Sequence, residues 1–249
     1  MLVVEDVSFA YPGSPPLFEH LSLRAGAGEI IAVVGRNGAG KSTFLRLLNG
    51  LLRPDRGAIF AAGTPTAKLK INEIAALVGT LFQTPEQQLF AGTAQEEVRF
   101  GPLQFGLDKD VAERRVEAAL RRCGLEGSGS VHPLDLGYAE RRFVALASVL
   151  VNQPRILLLD EPQRGLDRIW LGRLETIIRE EREAGRAIIL VCHDMDFVLR
   201  NASAVLALGA GHPRLMETGA FFRDRDLVAQ ASVTMPARLQ LEALLADRP

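Results

Sequence analysis

A glycine-rich stretch at residues 35–43, GRNGAGKST, has the residue types and spacing of a phosphate-binding loop. In such a loop, backbone N–H groups and the positive end of the following helix converge on a β-phosphate. Lys41 would place a cation against the β- and γ-phosphates, and Ser42 would offer a hydroxyl oxygen to Mg²⁺. The pattern predicts a nucleoside triphosphate site. Its loop residues are Gly35, Arg36, Asn37, Gly38, Ala39, Gly40, Lys41, Ser42 and Thr43.

Four further polar residues stand at the ends of apolar runs. Asp160 and Glu161 end one run, His193 follows a second, and Gln83 follows a third. Because ligands of open α/β sheets bind beyond the carboxyl ends of the strands, we expect these residues to lie near Lys41. Asp160 suits a second contact to Mg²⁺, and Glu161 would orient or deprotonate an attacking water. His193 would hydrogen-bond the γ-phosphate, and the amide oxygen of Gln83 would reach the metal or the water.

An aromatic residue, Tyr11, precedes the turn-forming residues 12–16. A ring at the start of a nucleotide-binding domain can stack on an adenine face. The alternative is a tyrosine that covers the edge of a sheet.

The hydrophobic pattern predicts an α/β fold, with a phosphate-loop nucleotide-binding core built on a mostly parallel sheet, N-terminal antiparallel strands and a helical subdomain insertion. Continuous apolar runs at 155–159 and 187–192 are typical of parallel strands covered on both faces. The strand at 2–9 is expected at the edge of a sheet. Further strands are expected at 17–25, 29–34, 58–62 and 78–82. Helices are expected at 41–50, 69–77, 108–123, 139–152 and 171–184.

The chain is interpreted as one domain with a nucleotide-binding core at 1–83 and 154–218, a helical subdomain at 84–153 and a C-terminal helical tail at 219–249. The subdomain carries four arginines on one predicted helix, which are expected to form a solvated face, with a partner-binding surface as the alternative. They are Arg114, Arg115, Arg121 and Arg122.

Composition excludes several classes of protein. The chain has 249 residues, 47% of them hydrophobic, and a formal net charge of −1, which gives no general basic surface for nucleic acid. No apolar run approaches the length of a membrane span. The first residues carry acids where a signal peptide needs bases, so a cytosolic protein is expected. Cys123 and Cys192 lie in different elements and are expected to be reduced thiols.

The motifs together resemble the ATPase subunit of ATP-binding cassette (ABC) transporters over essentially the whole chain. The resemblance depends on Tyr11, GRNGAGKST at 35–43, Gln83, LLLDEP at 157–162, GLD at 165–167 and CHD at 192–194. Within that class, the segments 83–90, 98–102 and 193–197 resemble the energy-coupling factor (ECF) group, which powers uptake of vitamins and of cobalt or nickel.

The resemblance implies a mode of action. Two ATPase subunits would sandwich two ATP molecules head to tail, each phosphate loop facing the partner's signature segment. Hydrolysis would move a transmembrane coupling subunit docked near the glutamine loop, beside a substrate-binding membrane subunit, so the chain would lie peripherally on the cytoplasmic face of the membrane. The implied roles are adenine contact for Tyr11, Mg²⁺ contacts for Ser42, Gln83 and Asp160, water activation for Glu161, the dimer interface for Asp167 and γ-phosphate contact for His193.

The signature segment departs from the usual L-S-G-G-Q. Leu136 is followed by Gly137, Tyr138, Ala139 and Glu140, so a helix N-terminus is retained but the serine hydroxyl is missing. A hydrogen bond to a charged group contributes about 1.5–3 kcal/mol, so a nucleotide facing this segment would bind roughly 10- to 150-fold less tightly. Two interpretations remain open: a working variant of ECF ATPases, or one chain of a heterodimer, which is slightly favoured.

The tail also resembles the ECF group. It is expected to hold two short helices split at Pro236. They would pack either against a second ATPase subunit or as a cap on their own domain.

Three other functions are considered. A soluble ABC ATPase of DNA repair or translation would need tandem cassettes, coiled coils or a basic surface, and none is evident. A small-molecule kinase would need an acceptor-binding lid, whereas Glu161 with Gln83 and His193 favours water as the acceptor. A regulatory nucleotide binder that does not hydrolyse ATP is disfavoured by Glu161.

Overall fold

The computed structural model describes residues 1–209 and 212–246, which form two β-sheets with helices around them. The strands are β1 (Leu2–Phe9), β2 (Phe18–Ala25), β3 (Ile30–Val34), β4 (Arg56–Ala61), β5 (Thr64–Pro65), β6 (Val78–Leu81), β7 (Ile156–Asp160), β8 (Ala187–Val191), β9 (Ala204–Ala207) and β10 (Arg214–Glu217). The α-helices are α1 (Lys41–Leu48), α2 (Ile71–Leu77), α3 (Ala94–Gln104), α4 (Lys109–Arg122), α5 (Tyr138–Leu150), α6 (Arg168–Glu183), α7 (Met195–Asn201), α8 (Thr218–Arg223), α9 (Arg225–Gln230) and α10 (Ala237–Ala246).

The larger sheet has the strand order β10-β9-β3-β8-β7-β6, and every pairing in it is parallel except that of β10 with β9. All residues of β3, β7 and β8 are buried. Alternate residues of these strands face two separate apolar clusters: one with α5, α6 and α7, the other with α1 and the smaller sheet. Burial on both faces explains why these strands are continuous apolar runs. The expected α/β class is confirmed.

The smaller sheet is antiparallel and has the order β2-β1-β4-β5. The expectation that the first strand lies at an edge is wrong, because β1 pairs with β2 on one side and with β4 on the other. The partly alternating pattern of β1 reports which face is buried and carries no information about how many strands pair with it.

The helical region contains one helix that the sequence pattern did not reveal. Helix α3 begins after Thr93, whose hydroxyl accepts the N–H of Glu96 at 3.2 Å, and it contains both Gly101 and Pro102. A Cβ atom on Gly101 would lie 2.5 Å from the side-chain nitrogen of Asn152, so a small residue lets α3 approach the end of α5 closely.

Helix α4 is capped by Asp108, as expected, but its four arginines do not form one solvated face. Arg122 Nη2 lies 2.9 Å from Glu180 Oε2 and 2.8 Å from Glu181 Oε1. Glu181 is 3% exposed, so Arg122 joins α4 to a buried carboxylate of α6. The periodicity of α4 places Arg122 away from the apolar stripe but does not show that a second helix covers it.

The C-terminal tail holds three helices, α8, α9 and α10, where two were expected. Two helices lie before the expected break at Pro236 because each has its own cap: Glu217 accepts the N–H groups of Gly219 and Ala220 at the start of α8, and Asp224 accepts that of Leu227 at the start of α9. Phe221, Phe222, Leu227, Val228 and Ala231 are buried in the same apolar cluster as β3 and β8, so α8 and α9 cover their own domain. Residues 247–249 of the expected tail lie outside the described residues.

Within residues 1–209 and 212–246, no helix is long and apolar enough to cross a bilayer.

Candidate nucleotide site

The loop at 35–43 connects the central strand β3 to helix α1. Gly35 has φ 149° and Gly40 has φ 94°. A Cβ atom on Gly40 would lie 2.6 Å from the ring of Phe18, so a side chain there would collide with the smaller sheet as well as strain the backbone. Glycines at these positions let the chain turn sharply from the strand into α1, whose N-terminus then faces the site.

Lys41 is buried, and its ammonium group reaches back across the loop. Nζ donates to the carbonyl oxygens of Gly35, at 2.8 Å, and Arg36, at 3.1 Å. Burial lowers the pKa of Lys41, while the charges of Glu161 and Asp160 act to raise it. The cation is thereby held in one position at the rim of the loop, where a phosphate can displace its carbonyl partners.

Two oxygen ligands suited to a divalent cation face each other beside Lys41. Ser42 Oγ lies 3.4 Å from Asp160 Oδ2, at the junction of α1 and the end of β7. Burial, reinforced by the charge of Glu161, raises the pKa of Asp160 to about 6. A bound cation would compensate this buried carboxylate. Hard oxygen donors of this kind are the ligands that Mg²⁺ prefers, so the residues fit that metal.

Glu161 follows β7 and has an unusual backbone conformation, with φ 52°. Its carboxylate is held on two sides: Oε2 accepts from Gln163 Nε2 at 3.0 Å, and Oε1 lies 3.4 Å from His193 Nε2. Oε1 is buried, and the described part of the chain gives it no hydrogen bond. Glu161 lines the cavity described below, and a carboxylate oxygen whose lone pairs are not taken up by a hydrogen bond is suited to receive a proton from a water molecule.

These residues surround one cavity of about 700 Å³. The residues expected from the sequence that line this cavity are Tyr11, Asn37, Gly38, Gly40, Lys41, Ser42, Thr43, Gln83, Asp160, Glu161 and His193. Gly35, Arg36 and Ala39 belong to the loop behind it, where two of their carbonyls hold Lys41 and Ala39 is buried. The convergence of strand ends expected from the apolar runs is therefore present in the structure.

Tyr11 stands at the mouth of the cavity. Its hydroxyl lies 3.0 Å from Thr43 Oγ1, and its ring packs edge-on against Phe9 at 5.1 Å between centroids. The side chain is 38% exposed. One side is therefore supported by the smaller sheet while another remains accessible to a base.

The signature segment and Asp167 do not line this cavity. Gly137 to Glu140 open helix α5, where Glu140 Oε2 accepts the N–H of Gly137 at 2.9 Å. Asp167 caps α6 by accepting the N–H groups of Ile169 and Trp170 at 2.9 and 3.0 Å. A helix N-terminus is present as expected, but one of its N–H groups already has a carboxylate partner.

Two residues beside Glu161 were missed by the sequence reasoning. Gln163 binds its carboxylate, and Arg142 donates to its carbonyl oxygen at 2.8 Å. The position of Gln163, two residues after the acid, was a signal that could have suggested it. Arg142 is 19 residues away and had no such signal.

Fold and site together define a phosphate-loop ATPase, and comparison with known proteins narrows the class. The family model for ABC transporters matches residues 18–164. The energy-coupling factor transporter ATP-binding protein EcfA of Methanocaldococcus jannaschii is 34% identical over 252 residues, covering 98% of this chain and 90% of that protein. The EcfA of Methanothermobacter thermautotrophicus is 35% identical over 246 residues, covering 97% of this chain and 78% of that protein.

A solved structure agrees with these relatives. The structure of cbiO1 from Clostridium perfringens, described as part of the ABC transporter complex cbiONQ, matches with a TM-score of 0.83 at 29% identity, covering 99% of this chain and 98% of that one. The chain therefore belongs to the ABC transporter family and, within it, to the energy-coupling factor ATP-binding proteins. It is an ATPase that uses ATP with Mg²⁺.

Proposed function

We propose that this chain hydrolyses ATP as the motor of an ECF-type importer, with Glu161 as the base that activates water. The observation that carries the proposal is the gathering of a loop lysine, a serine–aspartate pair and a glutamate–histidine pair around one cavity. Relatives named as energy-coupling factor ATP-binding proteins support the transport role.

The side chains divide the chemistry among them. Lys41 binds the β- and γ-phosphates, and Ser42, Asp160 and Gln83 hold Mg²⁺, which when bound neutralises charge that develops on the phosphates. The carboxylate of Glu161 accepts a proton from the attacking water, and the imidazole of His193, 3.4 Å from Glu161 Oε1, contacts the γ-phosphate. Tyr11 stacks on the base.

The site is completed by a second ATPase subunit. Gly137 to Glu140 and Asp167 stand outside this chain's own cavity, so we assign them to the nucleotide of a partner. The carboxylate of Glu140 lies at the N-terminus of α5 and occupies the N–H of Gly137. A negative charge at that place repels a triphosphate. This arrangement favours a heterodimer, in which the partner supplies the stronger signature to this chain's phosphate loop.

A membrane subunit docks in an apolar groove beside the glutamine loop. The groove, about 430 Å³ in volume, is lined among others by Leu51, Phe82, Phe90 and Phe100. Phe90 is 66% exposed, and the two phenylalanine rings of Phe90 and Phe100 pack edge-on at 4.9 Å between centroids. An exposed aromatic patch of this kind is suited to receive an apolar segment. Its proximity to Gln83 would couple that segment to the nucleotide.

Docking in this groove places the chain peripherally on the cytoplasmic face of the membrane. The substrate is a vitamin, a vitamin precursor or a transition-metal ion, and another subunit selects it. Replacing Phe90 and Phe100 together by serine should abolish co-purification of membrane subunits with a tagged chain while ATP binding persists. Undiminished co-purification would contradict the docking site.

Hydrolysis is tested by phosphate release from the complex purified through the tagged chain, without any added acceptor. Lys41→Ala should abolish ATP binding, because the loop loses its cation. Glu161→Gln should retain binding and slow phosphate release by roughly 10²-fold or more, because an amide is a much weaker base. Native turnover by Glu161→Gln would contradict the assignment of the base. A requirement for an added acceptor would favour the kinase alternative.

A further inference from the structure

Arg142 is a buried cation that the chemistry above does not use. It lies on α5 with 3% of its surface exposed. Its guanidinium donates to the carbonyl oxygen of Glu161 at 2.8 Å, to that of Gln83 at 3.4 Å and to the hydroxyl of Tyr138 at 3.2 Å. One side chain therefore joins the loop that carries the base, the glutamine loop and the start of the signature helix.

Arg142 makes one ion pair, and it is a long one. Glu86 Oε1 lies 4.0 Å from Nη1, too far for a hydrogen bond, and the ring of Tyr138 lies 5.6 Å from the guanidinium carbon. A buried cation is costly unless its hydrogen-bonding groups find partners. Here the principal partners are main-chain oxygens of two functional loops, which an uncharged side chain would bind more weakly.

The conformation of Glu161 explains why such a contact is needed. Its φ of 52° lies in the left-handed region, which residues with a Cβ atom adopt only when their surroundings hold them there. The N–H of Glu161 donates to the carbonyl of Val191 at 3.0 Å, and its own carbonyl accepts from Arg142. The two hydrogen bonds fix this residue from both sides and so determine where its carboxylate points.

We propose that Arg142 is a positioning residue for catalysis: it holds the strained backbone at Glu161 and fixes this loop relative to Gln83. The inference rests on the proposed role of Glu161 as the base. Displacement of a catalytic group by about 1 Å can lower a rate about 10²-fold. Arg142→Gln should therefore lower kcat about 10- to 100-fold while the KM for ATP changes little.

Arg186 provides a matched control at the other end of the sheet. It also donates to two main-chain oxygens, those of Gln153 at 3.3 Å and Pro154 at 2.8 Å, next to the start of β7, and in addition it pairs with the carboxylate of Glu181. Arg186→Gln should lower the melting temperature without lowering kcat in the folded enzyme. Arg142→Lys keeps the charge and one donor direction, so it should recover part of the activity that Arg142→Gln loses.

The decisive experiment is a double-mutant cycle with Glu161→Gln, measured as phosphate release and ATP binding in the purified complex. If Arg142 acts by placing the carboxylate, Arg142→Gln should cause little further loss in the Glu161→Gln background. Equal fold losses in both backgrounds, or native kcat in folded Arg142→Gln, would overturn the inference. If Arg142→Gln does not fold, the same cycle with Arg142→Lys decides. Failure of Glu161→Gln alone to slow hydrolysis would instead reject the base assignment.

Discussion

At the scale of single residues, the end of β7 carries features that destabilise the folded chain. Asp160 and Glu161 are adjacent buried carboxylates, and Glu161 also has a left-handed backbone. Each feature costs free energy of folding, since buried charges lose hydration and left-handed backbone is strained. Such features are retained where they serve to bind a cation and to act on a phosphate. The end of β7 therefore lowers the stability of the fold in return for activity.

The destabilising effect of Asp160 should appear in the pH dependence of the free energy of unfolding. Its folded pKa of about 6 lies above its ordinary value of 3.8, so the unfolded chain releases the proton first as pH rises. The unfolded state then binds fewer protons, and the carboxyl group destabilises the fold progressively between about pH 4 and pH 6. Asp160→Asn should therefore raise the melting temperature of the ligand-free protein by a few degrees above pH 6.

Calorimetry of both proteins from pH 4.5 to pH 8, without nucleotide or Mg²⁺, checks this expectation. The gain should fade toward pH 4.5, where the native carboxyl is protonated in the fold. A gain of the same size across the whole range would mean that packing, and not ionisation, distinguishes the variants. Phosphate release with Mg²⁺ should fall sharply in Asp160→Asn, because a ligand oxygen loses its charge.

Four residues that line the cavity, Gln83, Asp160, Glu161 and His193, were predictable because they stand at the ends of apolar runs. A parallel strand buried on both faces ends at the same edge as its neighbours, so Asp160 and His193 had to lie close together. Arg142 was not predictable, because its contacts depend on the exact rotation of α5 against two loops. Gln163 likewise binds Glu161 only because the left-handed turn brings the two side chains together.

At the scale of elements, the strongest predictions were those with the clearest physical signal. The buried strands at 156–160 and 187–191 match the apolar runs within a residue. Helix α3 and the position of β1 were missed, since Gly101 and Pro102 oppose a helix locally and strand order depends on distant pairings. Strands β9 and β10, of four residues each, were also missed.

The tail helices give an element-scale prediction. Phe221 on α8 is fully buried in the main apolar cluster, whereas Leu241 on α10 is 58% exposed. Because truncating a buried phenylalanine removes apolar contacts and leaves a cavity, Phe221→Ala should destabilise the isolated chain by about 3–5 kcal/mol. Leu241→Ala should change the free energy of unfolding by less than about 0.5 kcal/mol.

Urea denaturation of the isolated chain measures both variants. An unchanged midpoint for Phe221→Ala would mean that α8 does not cap its own domain in solution. If Leu241→Ala instead weakened association with a second ATPase subunit, the exposed side of α10 would serve as part of that interface.

At the scale of the whole molecule, the proposed second subunit would act on this chain through helix α5. Helix α5 connects the two functions of the chain: its N-terminus carries the signature segment, and Arg142 one turn later touches the loops of this chain's own site. A partner nucleotide that binds Gly137 to Glu140 would therefore act on the same rigid helix that positions Glu161. The affinity of the signature segment for the partner's nucleotide then determines whether two identical chains can bind ATP between them.

Restoring a signature should convert the isolated chain into an ATP-dependent homodimer. Gly137→Ser adds a hydroxyl donor for a phosphate, and Glu140→Gln removes a negative charge while its amide oxygen can still accept the N–H of Gly137. A hydrogen bond to a charged group contributes about 1.5–3 kcal/mol, so the interfacial nucleotide should bind roughly 10- to 150-fold more tightly. In a Glu161→Gln background, which prevents turnover, gel filtration with ATP should show a dimer for the restored chain and a monomer for the unrestored one, and ADP should give monomers of both. A dimer of the unrestored chain, or fast hydrolysis by the native chain alone, would show that the natural segment works without a different partner.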